Sequence, residues 1–477
     1  MQTKEELLTK IYGFSEFKSG QAEVIDSVMK TGQTLGILPT ATGKSLCYQL
    51  AGYMSHGTVL VVSPLLSLME DQVRQLQALK EKRVVALNSQ LSMSDKQWVL
   101  SHLSDYKFIF ISPETLLQPI VLNRLMQLEI GLFVVDEAHC IIEWGIDFRP
   151  EYEKLLDVYR TLNARRLLAL TATATPEAEQ EIKAKLFSSE PAVVRRSVDR
   201  ENISYYVEET EDKYNRLKEL IGKLTGPGIV YFSSKKQAEL ISKQLQVDLS
   251  EPVTFYHADL TQQERSLIQS QYINGQIRIL CATNAFGMGI NKKDVRFVIH
   301  YHLPSSLEAY LQESGRSGRD GKDSVSIILY QKGDERIHHF LQESLIEEIE
   351  NFKLFVSLSE KKQKDSLSLL SELQLKWLEN NAHQSGNWDH LFDKLDDKTK
   401  EKKENIESVL RYLKDKNCRR VHLLRYFGEK KSKKATFCCD NCDGYGKIND
   451  SETSVSVYKK VQELSWEEML KNLFNFG

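Results

Sequence analysis

The chain has 477 residues, 41% hydrophobic and 27% charged, a balance that excludes wholesale disorder. A length of roughly 150 residues per domain implies about three domains. Sixty-three basic residues against 66 acidic ones leave a formal charge of −3, which excludes a globally basic surface but not a local basic groove.

In chain order, short apolar, β-branched runs predict strands at Leu35–Leu38, Val59–Val62, Val84–Leu87, Phe108–Ile111, Leu132–Val135 and Leu167–Leu170. Helical stretches such as Leu65–Leu79 and Pro176–Phe187 separate them. The alternation resumes with strands at Gly228–Phe232, Val253–His257, Ile277–Ala282, Phe297–Tyr301 and Ser324–Tyr330. Fully apolar strands alternating with helices indicate parallel sheets covered on both faces. The fold class is therefore α/β, with two units joined near Asp199–Tyr206, where a polar DREN segment breaks the pattern. From Glu343 to Lys416 the sequence is charged, poor in glycine and helical in period, with lysine-rich turns such as Lys398–Asn405. The expected division is 1–203, 204–342 and 343–477. Four of the seven cysteines fall between Cys418 and Cys442, and one weakly amphipathic helix is expected at Val457–Phe474.

In open α/β sheets ligands bind at the carboxyl ends of strands. After the first run comes PTATGKS, in which Gly43, Lys44 and Ser45 end a P-loop: backbone N–H groups cradle phosphate, Lys44 reaches the β/γ oxygens and Ser45 supplies a magnesium ligand. The full pattern fails at its first position, which is Leu38. After Leu132–Val135 come Asp136 and Glu137, a second magnesium ligand and a carboxylate able to polarise the attacking water. The second unit has no P-loop. It carries QESGRSGRD, whose Arg316 and Arg319 stand among glycines and suit a clamp on a phosphoryl group held by the other unit. Two such halves imply a cleft that closes on ATP and opens after hydrolysis, a cycle able to ratchet along a bound polymer. Downstream, Cys439-Asp440-Asn441-Cys442 is a knuckle that aims two thiolates at one tetrahedral ion.

These residues resemble the RecQ type of superfamily 2 helicase. The motifs that carry the resemblance are Ser63–Val73 (SPLLSLMEDQV), Asp136–Cys140 (DEAHC), Ala169–Thr175 (ALTATAT), Ala282–His300 and Gln312–Gly321. The resemblance implies two tandem RecA-like domains followed by a helical zinc-binding subdomain. It also implies an ATP- and magnesium-dependent helicase that moves 3′ to 5′ on single-stranded DNA and serves recombination and repair. DNA, single-stranded or partly duplex, is the implied substrate, with single-strand-binding and recombination proteins as partners. His139 joins the implied catalytic set as part of DEAHC. The segment Tyr12–Gln21 resembles the adenine-recognition motif, with Phe14 and Gln21 on the base and Lys18 where arginine is usual; Thr40, Ala41, Thr42 and Gly43 complete the ATP site.

Trp144–Pro150 resembles the aromatic-rich loop that couples DNA binding to hydrolysis. Trp144 and Phe148 offer faces for stacking bases, Arg149 a cation for phosphate, and Asp147 lies between them, while Ile146 replaces a usual histidine. By the same resemblance Ser63, Ser67, Gln72, Asn284, Gly287, Gly289 and Asn291 contact the DNA backbone, and Thr171 and Thr173 link the ATP state to DNA. Cys418, Cys439 and Cys442 are the implied zinc ligands. The fourth position of the family is Tyr445 here, so Cys438, or His422 on the same helix face as Cys418, supplies the last donor.

The stretch between Arg319 and Cys418 is longer than usual for the family, predicting an inserted helical element at about 345–400. Only 35 residues follow Cys442, too few for a winged-helix domain or a helicase-and-RNaseD C-terminal domain. With no leader core and no run of ~18 apolar residues, a protein of the bacterial cytoplasm or nucleoid, without membrane contact, is expected. Two rival readings are an RNA-directed remodelling ATPase, against which the Trp144–Pro150 segment argues, and a DNA-binding scaffold without turnover, against which intact Lys44, Glu137 and Arg319 argue.

Overall fold

The computed structural model describes residues 2–88, 91–143, 150–287, 292–382, 388–430, 435 and 437–444. Its first lobe is built on seven parallel strands: β1 (Gln33–Ile37), β2 (Thr58–Val62), β3 (Val84–Leu87), β4 (Phe108–Ile111), β5 (Ile130–Val135), β6 (Leu167–Thr171) and β7 (Ala192–Arg195), in the spatial order β3-β4-β2-β5-β6-β1-β7. Every residue of β2, β4, β5 and β6 is buried, as expected of strands with helices on both faces. Each such Val, Leu, Ile or Phe contributes about 1.5–3 kcal/mol of burial. Because β5, β6 and β1 are neighbours, the loops at their carboxyl ends meet at one edge of the lobe.

The second lobe has six parallel strands: β8 (Ile203–Glu209), β9 (Gly228–Tyr231), β10 (Val253–Tyr256), β11 (Ile279–Ala282), β12 (Phe297–His300) and β13 (Ser324–Tyr330), in the order β10-β11-β9-β12-β13-β8. Two strands depart from the sequence reading. The edge strand β7 is only partly buried, and its apolar run, Ala192–Val194, is shorter than the four-residue runs read as strands. The other, β8, occupies part of the segment read as a joint: it pairs with β13 from Ile203↔Ser324 to Glu209↔Tyr330. The crossing between lobes therefore shrinks to 196–202.

Beyond β13 the chain is helical. Helices Arg336–Ser357, Glu372–Ala382 and Trp388–Lys414 gather their own small core, in which Phe352 lies against Trp377, Trp388 and Phe392. The end of the long helix Trp388–Lys414 and the helix Arg419–Tyr426 join a different core, shared with β8 and the helix Leu307–Ser314 of the second lobe. The helix expected at Val457–Phe474 lies outside the described residues.

Candidate active site and metal centre

The P-loop leaves β1 at Leu38, whose N–H still donates to the Thr171 carbonyl (3.0 Å) and whose side chain is fully buried. The position where a glycine was wanted is thus part of the core. The loop then turns: the Thr42 hydroxyl donates to the Pro39 carbonyl (2.7 Å), while Ala41 (φ 69°) and Gly43 (φ 74°) take left-handed conformations. For Ala41 this conformation stores about 1 kcal/mol or more, as strained backbone at functional sites does. Gly43 caps the helix Lys44–Met54, so the first-turn N–H groups of that helix face the loop. Gln21 braces the loop from behind, its amide donating to the Thr42 (2.6 Å) and Gly43 (3.1 Å) carbonyls and accepting from the Lys18 N–H (2.8 Å). Lys18 Nζ donates to the Ala41 carbonyl (2.9 Å), and Phe14 stands exposed beside Tyr12.

At the end of β5, Asp136 is buried and Glu137 beside it half-buried, with a left-handed φ of 49° for Glu137. Burial first, then the adjacent Glu137 charge, pushes the Asp136 carboxyl up to about 7. Burial would raise Glu137 as well, but Lys44, His139, Arg316 and Arg319 together outweigh it and hold that carboxyl below its usual range. Lys44 Nζ lies 3.7 Å from Glu137 Oε1. His139 sits between the lobes: its Nδ1 donates to Thr171 Oγ1 (3.1 Å), whose hydroxyl donates to the Thr173 carbonyl (3.0 Å). Its Nε2 accepts from Gln312 of the second lobe (3.4 Å), which selects the Nδ1–H tautomer.

Gln312 belongs to the helix Leu307–Ser314, anchored at its far turn by a buried contact between Glu313 and His300 of β12 (2.9 Å). Past its end come Arg316, which donates to the Gly287 carbonyl, and Arg319. Burial, then Arg316 and Arg200, lower Arg319 to about 10, which still leaves it charged at neutral pH. Lys44, Ser45, Asp136, Glu137, Arg316 and Arg319 line one cleft of about 760 Å³, together with Phe14, Lys18, Gln21 and the whole loop from Pro39 to Gly43. Asp136 and Glu137, with cations gathered from both lobes, form a pocket whose charge suits a polyanion carrying a divalent cation. Among the described residues Arg316 Nε has no hydrogen-bond partner and Glu137 Oε2 has only the His139 Nδ1 contact at 3.5 Å, so the site retains capacity for a ligand.

Three families match in chain order: DEAD/DEAH box helicase at residues 18–182, Helicase conserved C-terminal domain at 212–321 and RecQ zinc-binding at 375–443. The chain is 48% identical over 350 residues to the probable ATP-dependent DNA helicase RecS of Bacillus subtilis, covering 73% of this chain and 70% of that protein. It is 32% identical over 465 residues to the ATP-dependent DNA helicase RecQ of the same organism, covering 96% and 69%. The chain belongs to the RecQ family of ATP-dependent DNA helicases. It spans 62% of the length of the RecQ relative from Pasteurella multocida, which is 33% identical over 93% of this chain. In solved structures the fold is similar to Mycobacterium smegmatis helicase Lhr (TM-score 0.58, 21% identity, 69% of this chain and 47% of that one).

The zinc-binding match of the RecQ chain begins at residue 375, inside the segment read as an insertion. The Sγ atoms of Cys418, Cys438, Cys439 and Cys442 all lie within 4.8 Å of one another, with Cys418 3.4 Å from Cys438 and 4.0 Å from Cys439. Tetrahedral zinc with Zn–S bonds of about 2.3 Å needs sulfurs about 3.8 Å apart, so this donor set fits the ion. Both vicinal cysteines thus contribute sulfurs to the cluster. His422 stands outside it, its Nδ1 held 2.5 Å from Asp415.

The residues expected on DNA divide into three groups. Ser67 and Asn284 are exposed. Ser63, Gln72 and Thr171 are buried, at 1%, 6% and 0% exposure. Gln72 accepts from Tyr48 (2.9 Å) and Gln49 (3.0 Å), and Thr171 holds His139. Thr173, also mostly buried, lines a second cavity of about 680 Å³ with His139, Gln312, His338 and Lys398. Trp144, Ile146, Asp147, Phe148, Arg149, Gly289, Asn291 and Tyr445 lie outside the described residues. The adenine role expected of Gln21 meets an obstacle, since both ends of its amide are engaged by Lys18 and the P-loop. Sequence reading missed Lys293 and Asp320, which line the cleft from the second lobe, and Arg200 in the crossing. The polar DREN segment marked a joint between the units but did not single out Arg200.

Proposed function

We propose that this RecQ chain is a DNA-stimulated ATPase that moves 3′ to 5′ along single-stranded DNA and unwinds duplexes in recombination and repair. The observation that carries the reading is the cleft in which Lys44 and Glu137 of one lobe face Arg316 and Arg319 of the other. Backbone N–H groups of Thr40–Gly43 and the Lys44 ammonium hold the β/γ phosphates, and Lys18 and Phe14 border the nucleotide base. Glu137 Oε2 accepts from the attacking water and orients it in line with the γ-phosphoryl. Arg316 and Arg319 neutralise charge developing on the transferred group. Ser45 and Asp136 would hold magnesium, which when bound neutralises phosphate charge. The four cysteine sulfurs would hold zinc, a structural ion in this setting.

The relay from Gln312 through His139 to Thr171 spans both lobes, so closure of the cleft reaches the segment after β6 that ends at Thr173 and Thr175. Ser67, Asn284 and the Trp144–Pro150 segment, with Asn291, are the assigned DNA contacts, and single-strand-binding and recombination proteins are the assigned partners in the cytoplasm. Among the described residues no helix is long and apolar enough to cross a membrane. The test is ATP hydrolysis with and without single-stranded DNA: equal rates would refute coupling, and RNA outdoing DNA would redirect the substrate. Lys44→Ala should lower hydrolysis by about 100-fold or more with the fold intact.

A further inference from the structure

Between β7 and β8 the crossing is tied down on three sides. From the C-terminal helix Arg419–Tyr426, the Arg420 guanidinium binds Asp199 and the carbonyls of Arg200 (3.0 Å) and Ile203 (2.5 Å). Asn202 Nδ2 donates to the carbonyls of Gly318 (2.9 Å) and Lys322 (2.7 Å) in the second lobe. The side chain of Arg200 reaches both lobes. Its Nη2 donates to the carbonyls of Gly318 (2.6 Å) and Ser317 (3.4 Å), and its Nη1 to those of Gly315 (3.4 Å) and Thr40 (3.4 Å). The Gly315 carbonyl also accepts from Thr40 Oγ1 (3.2 Å), so two donors from outside the second lobe converge on one oxygen.

Among the described residues Arg200 forms no ion pair. Its charge is met by four main-chain dipoles, and it does not line the nucleotide cleft. One of those carbonyls opens the strained part of the P-loop, and the other three belong to the turn that carries Arg316. A planar fork with five donors can hold four oxygens at once, which a lysine ammonium, a point charge on a flexible stem, cannot do in the same geometry. The root of Arg200 is meanwhile fixed by Arg420, so its head is not free to follow one lobe alone.

Resting on the reading of the cleft as an ATP site, we infer that Arg200 is a positioning residue that registers the Gly315–Gly318 turn against the P-loop, so that Arg316 and Arg319 meet the phosphates in reactive geometry. A misplacement of about 1 Å in such a site lowers turnover by about 100-fold. The ground-state nucleotide, held by P-loop donors that Arg200 does not supply, should bind as before.

The test uses the full chain as Arg200→Ala and Arg200→Lys, with Lys44→Ala in parallel. Three quantities are read: kcat for ATP with saturating single-stranded DNA, the Kd of a fluorescent ADP, and the melting temperature. The expected result is kcat lowered by about 100-fold in both Arg200 variants, ADP affinity within about threefold of wild type and an unchanged melting temperature. Wild-type kcat in either variant, with Lys44→Ala inactive, overturns the inference and leaves the ATP site standing. Loss of kcat, ADP affinity and melting temperature together makes Arg200 a plain brace and overturns it too. Turnover persisting in Lys44→Ala strikes the ATP-site reading itself.

Discussion

Gly315 of the second lobe lies directly against Thr40 of the P-loop. A methyl group built on it would overlap Thr40 Oγ1 of the P-loop and sit 3.0 Å from the Leu311 carbonyl of its own helix. The backbone there is right-handed (φ −64°), so alanine is conformationally acceptable and the penalty comes chiefly from the contact between lobes. Gly315→Ala should therefore lower kcat by about tenfold or more while each lobe keeps its stability, which steady-state kinetics and thermal melting would separate. Residues of this kind divide by how local their chemistry is. Lys44, Asp136 and Glu137 were legible because a strand end followed by a cation or a carboxylate carries its own meaning. The buried neighbours of Gln72 and Thr171, Tyr48 and His139 among them, were not legible, because a polar side chain does not announce in sequence which partners it takes.

At the scale of elements, the strand ends of the second lobe carry a titration signal. His302, just past β12, accepts from the Ser233 N–H (2.9 Å) and is 6% exposed; burial, then the charges of Lys213 and His338, lower it to about 4. His338 is lowered as well, by burial first and by His339, against the opposing effects of the Leu303 carbonyl and Asp334. Above pH 6.5 these imidazoles are neutral folded or unfolded and add no pH dependence. As pH falls from 6.5 towards 4 the unfolded chain binds protons that the folded chain refuses, so stability drops, by on the order of 3 kcal/mol for His302 alone. Denaturant unfolding of wild type and His302→Gln at pH 7.5 and 5 checks this, and the variant should show the shallower decline. The zinc knuckle offers a second test. Cys439 Sγ accepts from the Arg419 N–H (3.3 Å), and Arg419 in turn holds Asp440 (3.1 Å). The protein should carry about one zinc per chain, and Cys439→Ser should lose it and melt earlier, read by metal analysis and calorimetry.

For the whole molecule, the C-terminal region spans both lobes. Lys398 Nζ donates to the Ile142 carbonyl (3.0 Å) just after DEAHC, and Lys394 pairs with Glu153 (3.3 Å) on the first lobe. Tyr426 donates to Glu308 (2.8 Å) on the second lobe. A net charge of −3 gives no general attraction to nucleic acid, so DNA affinity must come from local phosphate contacts. Single-strand binding should accordingly weaken steeply between about 50 and 200 mM salt, with a log–log slope near the number of phosphates neutralised. A flat salt response would point to stacking alone.

The amino-acid sequence by itself determined the two parallel sheets, the P-loop, the acidic pair and the arginine turn, because strand apolarity and strand-end chemistry are properties of a few consecutive residues. It also marked the knuckle Cys439–Cys442, whose spacing is local. The exposed-looking DREN segment gave no hint that Ile203–Tyr206 complete a sheet edge or that Arg200 grips both lobes, since strand pairing and carbonyl contacts depend on partners more than a hundred residues away. The convergence of Cys438 on the other three sulfurs, and the burial of Gln72 and Thr171, were likewise settled by tertiary packing, which alone fixes what each side chain faces.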